Sequence, residues 1–102
     1  MAFSELAQLI EQNSSGVGAF EKAAEQAFNA ARQHPDMAAA YFVLGAEAAD
    51  FADSYDRMPI TKAISDTAQA RFAQHAKDLD AASSDPARLL EALNRIVSEN
   101  LG

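Results

Sequence analysis

Apolar residues recur along this chain at steps of three and four, the spacing that places side chains on one face of a helix. Phe3, Leu6, Leu9 and Ile10 mark a first helix over about residues 4–13, broken by Asn13-Ser14-Ser15-Gly16. A second helix is predicted over about residues 19–33. There Val17, Phe20, Ala24, Ala27 and Ala31 share a stripe with Phe28 beside it, and His34-Pro35 ends it. Its alanines leave a flat face on which another helix can sit closely.

The third helix carries the cleanest periodicity. With Asp36 as expected N-cap, Met37, Tyr41, Leu44, Ala48, Phe51 and Tyr55 alternate steps of four and three to about residue 55. Phe42 and Val43 point away from that stripe, so the first half is apolar all round and is expected between neighbours. The second half is amphipathic, with Glu47, Asp50, Asp53 and Asp56 outside. Arg57-Met58-Pro59 interrupts, and Pro59 suits the first turn of a fourth helix. Its buried face is predicted as Ile60, Ile64, Ala68, Phe72, Ala76 and Leu79, reaching about residue 81. Ser83-Ser84-Asp85-Pro86 then sets up a fifth, with Asp85 as N-cap and Pro86 at the first helical position. Leu89, Leu90, Leu93, Ile96, Val97 and Leu101 form its stripe, and Glu91–Arg95 an i,i+4 pair.

No stretch reads as a strand. The pattern predicts an all-α fold, a small antiparallel bundle of four to five helices in one domain spanning residues 1–102. About half of the residues are apolar, but many are alanine, which buries little area. The core must gain by close helix approach, and stability is expected nearer ~5 than ~15 kcal/mol.

Fifteen acids against eight bases give a net charge of −7. The bases are scattered singly, so no basic patch is available for direct nucleic-acid contact or for an anionic membrane. The absence of cysteine removes thiolate and disulfide chemistry. The N-terminal residues lack the basic and apolar regions of a signal peptide, and no run is long enough to span a membrane. A cytoplasmic protein is expected.

Residues 18–48 resemble a tetratricopeptide-repeat helix junction. Gly18, Phe20, Ala23, Ala27, Ala30 and Pro35 follow the pattern of that family's second helix. Tyr41, Leu44 and Gly45 stand where the next repeat opens with an aromatic residue and Leu-Gly. The similarity covers about a third of the chain. Beyond it, Ser54, Arg57 and Gln69 occupy places where the family has an aromatic residue, alanine and proline. The resemblance implies hairpin packing and a scaffold that binds a peptide or protein.

Candidate chemistry is sparse. Glu47, Asp50, Asp53 and Asp56 step by three and fan around half the helix, so they do not converge as a metal site requires. They read as a solvated face or a docking ridge for a basic partner, since no positive charge lies between Asp36 and Asp56. His75 could be a phosphotransfer histidine, but Asp78 follows where a base would be needed. The simpler expectation is a boundary histidine packed on Phe72, with His34 capping a helix end. Ser83 and Ser84 read as turn residues, and Gly16-Val17-Gly18 is too short for a phosphate loop.

No enzyme, cofactor or metal is therefore expected. The reading is a non-catalytic protein–protein interaction domain (adaptor, chaperone-like or regulatory subunit) whose partner is another protein or a second copy of itself. Phe42, Val43, Glu47, Asp50 and Asp53 are the candidate contacts, with Phe42 and Val43 expected under the fourth or fifth helix or at an interface. The alternatives are an acidic decoy for the basic site of a nucleic-acid-handling partner, and a histidine phosphotransfer-like module using His75.

Overall fold

A computed structural model describes residues 3–56 and 58–102. Among them are five α-helices and no strand: α1 (Ser4–Gln12), α2 (Val17–Gln33), α3 (Ala38–Ser54), α4 (Lys62–Ala82) and α5 (Pro86–Leu101). Arg57, part of the expected break before the fourth helix, lies outside the described residues. No described helix is long and apolar enough to cross a membrane.

Small residues build the central seam. Ala23, Ala27 and Ala30 of α2 and Ala40, Gly45 and Ala48 of α3 are buried, and a short 3-10 turn, Pro35–Met37, joins the two helices. Aromatic contacts run in reverse order along the pair. Phe20 meets Phe51 at 4.3 Å between ring centroids and Phe28 meets Phe42 at 5.6 Å, so α2 and α3 form an antiparallel hairpin. Gly45 is the tightest point of that seam. A Cβ built there would lie 2.7 Å from the Phe28 ring.

α4 lies across the hairpin and beside α1, with Phe72, Ala76 and Leu79 fully buried. It also supplies the cap that α1 lacks. No local side chain caps the start of α1. Instead Asp80 accepts the backbone N–H groups of Phe3 at 2.7 Å and Ser4 at 3.0 Å, together with the Ser4 hydroxyl. An acidic group there also complements the positive end of the helix dipole. At the other end of α1, Ser14 and Ser15 take the left-handed conformation (φ 69° and 54°). The Ser15 carbonyl accepts the hydroxyl of Ser65, which is buried on α4.

Several helix ends differ from expectation. Asp36 does not cap α3, because it lies inside the 3-10 turn that Pro35 starts, where the Met37 N–H bonds the His34 carbonyl at 2.9 Å. The fourth helix begins at Lys62 and not at Pro59. Thr61 is its N-cap, the hydroxyl oxygen accepting the Ile64 N–H at 3.2 Å. Asp85 caps α5 as expected, accepting from Ala87 at 3.1 Å and Arg88 at 3.4 Å. The stripe of α5 is only partly covered: Ala92 and Ile96 are buried, whereas Leu90, Val97 and Leu101 are exposed. This last helix has neighbours on one side only. Arg95 reaches across to Asp78 on α4 at 3.1 Å, and not along its own helix to Glu91.

Two outcomes follow from the packing. Gly45→Val should lower stability by about 2 kcal/mol, since the added methyls overpack the Phe28 ring; helix propensity alone gives the opposite sign. Urea denaturation followed by circular dichroism reads the difference. The Tyr41 phenol is raised above the ordinary 10.0, first by burial and then by the nearby Glu5, Asp80 and Asp36 carboxylates. The folded state thus holds its proton more tightly than the unfolded state does. That contribution is complete below about pH 10 and is lost as pH rises through the raised value. Tyr41→Phe should flatten the fall in stability measured by denaturation above pH 10.

Candidate partner-binding groove

A groove of about 880 Å³ runs between α3 and α4, its far end bounded by the last turn of α5. The α3 wall carries Phe42, Val43, Glu47, Asp50, Phe51 and Tyr55, and the α4 wall Ile64, Thr67, Ala68 and Arg71. Phe20 of α2 contributes at the base, where its ring packs on Phe51, and Phe51 packs in turn on Tyr55 at 4.9 Å. Val97 and Leu101 of α5 complete the lining.

Phe42 is 60% exposed. Cover by the fourth or fifth helix, one of the two expectations for this residue, is not what the fold provides. Its ring leans on Phe28 across the hairpin, because the seam beneath has room only for alanines and Gly45. Val43, one step round the helix, is half-buried against the core. The expectation that the first half of α3 is enclosed therefore holds for Ala40, Tyr41 and Leu44, which are buried, with Tyr41 against Phe3 at 4.7 Å between ring centroids, and fails at Phe42.

The acidic run divides. Asp50, Asp53 and Asp56 are exposed, whereas Glu47 turns toward α4 and keeps only 13% of its side chain exposed. Four of the five candidate contacts, Phe42, Val43, Glu47 and Asp50, line the groove, and Asp53 lies outside the lining.

Glu47 turns inward because of His75. That ring is buried, 3% exposed, with Nδ1 2.5 Å from a Glu47 carboxylate oxygen and Nε2 2.7 Å from one of Glu99. A ring protonated on both nitrogens donates to both carboxylates; a ring with one proton can donate to only one. The bridge joins α3, α4 and α5, and Arg71 reinforces it by donating to the Glu99 backbone carbonyl at 2.6 Å. His75 is not the boundary residue expected but a buried one in this three-helix contact. Neither nitrogen is left open to an incoming phosphoryl group. His34 has its ring beside Tyr41, centroids 5.9 Å apart. Among the described residues no three His, Cys, Asp or Glu side chains are grouped to hold a metal ion.

Replacing His75 with Ala should cost about 2–3 kcal/mol, because a mostly buried Glu47 carboxylate loses a charge-assisted hydrogen bond. His75→Gln, which can still donate to one carboxylate, should cost less. Urea midpoints of the two variants provide the check, and equal stability of His75→Ala and the parent would refute the bridge.

Compared with known proteins, the chain matches no family model, no curated protein and no solved structure.

Proposed function

We propose that this chain is a non-catalytic protein–protein interaction domain, an adaptor, chaperone-like or regulatory subunit of the cytoplasm, with α3 as its main contact surface. The exposed Phe42 ring at the mouth of an apolar groove carries the reading. A large aromatic side chain left in water beside a concave apolar surface loses free energy that a partner can recover. The surroundings suit an interface, with an apolar centre and exposed carboxylates at the rim. The tetratricopeptide-like residues 18–48 point the same way, since that family implies a peptide- or protein-binding scaffold. The buried, doubly bridged His75 favours a structural role for the one histidine inside a helix.

A second reading draws on the exposed Asp50, Asp53 and Asp56, none in an ion pair among the described residues. These carboxylates suit an acidic decoy that occupies the basic site of a nucleic-acid-handling protein. Steep loss of binding with salt marks the decoy, and shallow loss marks the apolar contact.

A photo-crosslinking amino acid at position 42 tests the main reading in cells. It should give discrete covalent adducts, whereas the same group at Glu25 on the outer face of α2 should not. Phe42→Asp should leave the helical circular dichroism unchanged and cost about 1 kcal/mol through loss of the Phe28 ring contact, while removing the contact that the crosslink traps. No adduct at position 42 would sink the proposal.

A further inference from the structure

Resting on that reading, we propose that the groove accepts a basic amphipathic helix from another protein, its apolar stripe between α3 and α4 and its cations on the α3 rim.

The dimensions fit a helix. The α3 wall from Phe42 to Tyr55 is about 20 Å long at the rise of an α-helix, enough for three to four turns of an occupant. Two antiparallel helices form the walls and aromatic rings the base, the arrangement in which a partner helix inserts residues at i, i+3, i+4 and i+7. Phe42 and Leu101, both in the lining, are exposed, unlike the walls of a pocket closed around a small molecule.

Charge selects among occupants. Asp50 lines the groove with no ion pair among the described residues, and exposed Asp53 and Asp56, outside the lining, add negative charge around the C-terminal end of α3. On the opposite wall Arg71 keeps its positive charge while donating to the neutral Glu99 carbonyl, and Lys62 is paired with Asp66 at 2.6 Å. Among the described residues these three exposed carboxylates stand against one guanidinium. Lys or Arg beside an apolar stripe therefore meets complementary charge. A second copy of this chain, at net charge −7, would bring one acidic rim against another. Anionic amphiphiles and anionic bilayers meet the same repulsion.

The test uses three fluorescent 16-residue helical peptides sharing one leucine stripe, with flanking positions all Lys, all Gln or all Glu. Binding to the full chain is read by anisotropy at two salt concentrations. The Lys peptide should bind about tenfold more tightly than the Gln peptide, and the Glu peptide not measurably. Asp50→Lys should weaken the Lys peptide about fivefold or more. Glu25→Lys, an equal charge change on the outer face of α2, should move it less than about twofold. Phe42→Asp should abolish binding, as should Thr67→Arg, which blocks the groove from the opposite wall. Equal affinity for the Lys and Gln peptides would overturn the basic occupant and leave the interaction reading standing. So would a parent dimer in sedimentation that Phe42→Asp splits, which would make the occupant a second copy. Peptide binding untouched by Phe42→Asp and Thr67→Arg would overturn the groove as the site, and with a silent crosslinker at position 42 it would remove both readings.

Discussion

The close approach of α2 and α3 constrains most of what surrounds it. Ala23, Ala27 and Ala30 face a helix whose own contribution includes Ala40, Gly45 and Ala48. Each buries little area, so cohesion comes from many short contacts between backbones. A seam this thin cannot house large side chains, and they are displaced to its margins. Phe20 and Phe51 meet at one margin, and Phe28 folds over Gly45 at the other. Phe42, one ring further out, has nowhere to go but the surface. The exposed aromatic residue and the narrow seam are thus one fact seen from two sides.

Polar contacts follow a different geography. α4 is their hub: Asp80 caps α1, Ser65 holds the Ser15 carbonyl, His75 bridges α3 and α5, and Asp78 takes Arg95. These contacts are directional, and each fixes the height of a neighbour along α4. Burying such groups adds less stability than apolar side chains of equal volume would, but leaving one partner unsatisfied is costly. The alanine seam draws helices together without strongly choosing a register, whereas the bonds along α4 choose one.

That division explains what could be read from the sequence. Periodicity located all five helices because burial on one face is a local property. The Asp85-Pro86 start was legible because cap and helix are adjacent. Asp80 at the start of α1 was not, since the two lie 77 residues apart and nothing in the local sequence around either suggests the other. Thr61 displaced Pro59 as the start of α4 because a side-chain acceptor facing the first-turn N–H groups outweighs the fixed φ of proline. In the site, Phe42 and Asp50 were legible as residues off the buried stripe. The His75 bridge was not, although a signal exists. His75, Glu47 and Glu99 each stand three residues after a buried apolar residue, namely Phe72, Leu44 and Ile96. Such edge positions are solvated unless three helices meet there, and only the packing decides that.

The thin attachment of α5 bears on how the molecule opens. With only Ile96 fully buried, Ala92 nearly so, and a set of polar tethers to α4, this helix has far less apolar area to expose on detachment than the hairpin has. It is the helix expected to open first, its amide protons exchanging before those of the hairpin. Its last turn also bounds the groove. When it lifts, Ile96 is uncovered and the enclosure at that end is lost, so only the closed fraction of molecules presents the complete surface. An occupant that seats against Val97 and Leu101 binds that fraction and raises it, and its apparent affinity is set partly by the strength of a histidine bridge it never touches.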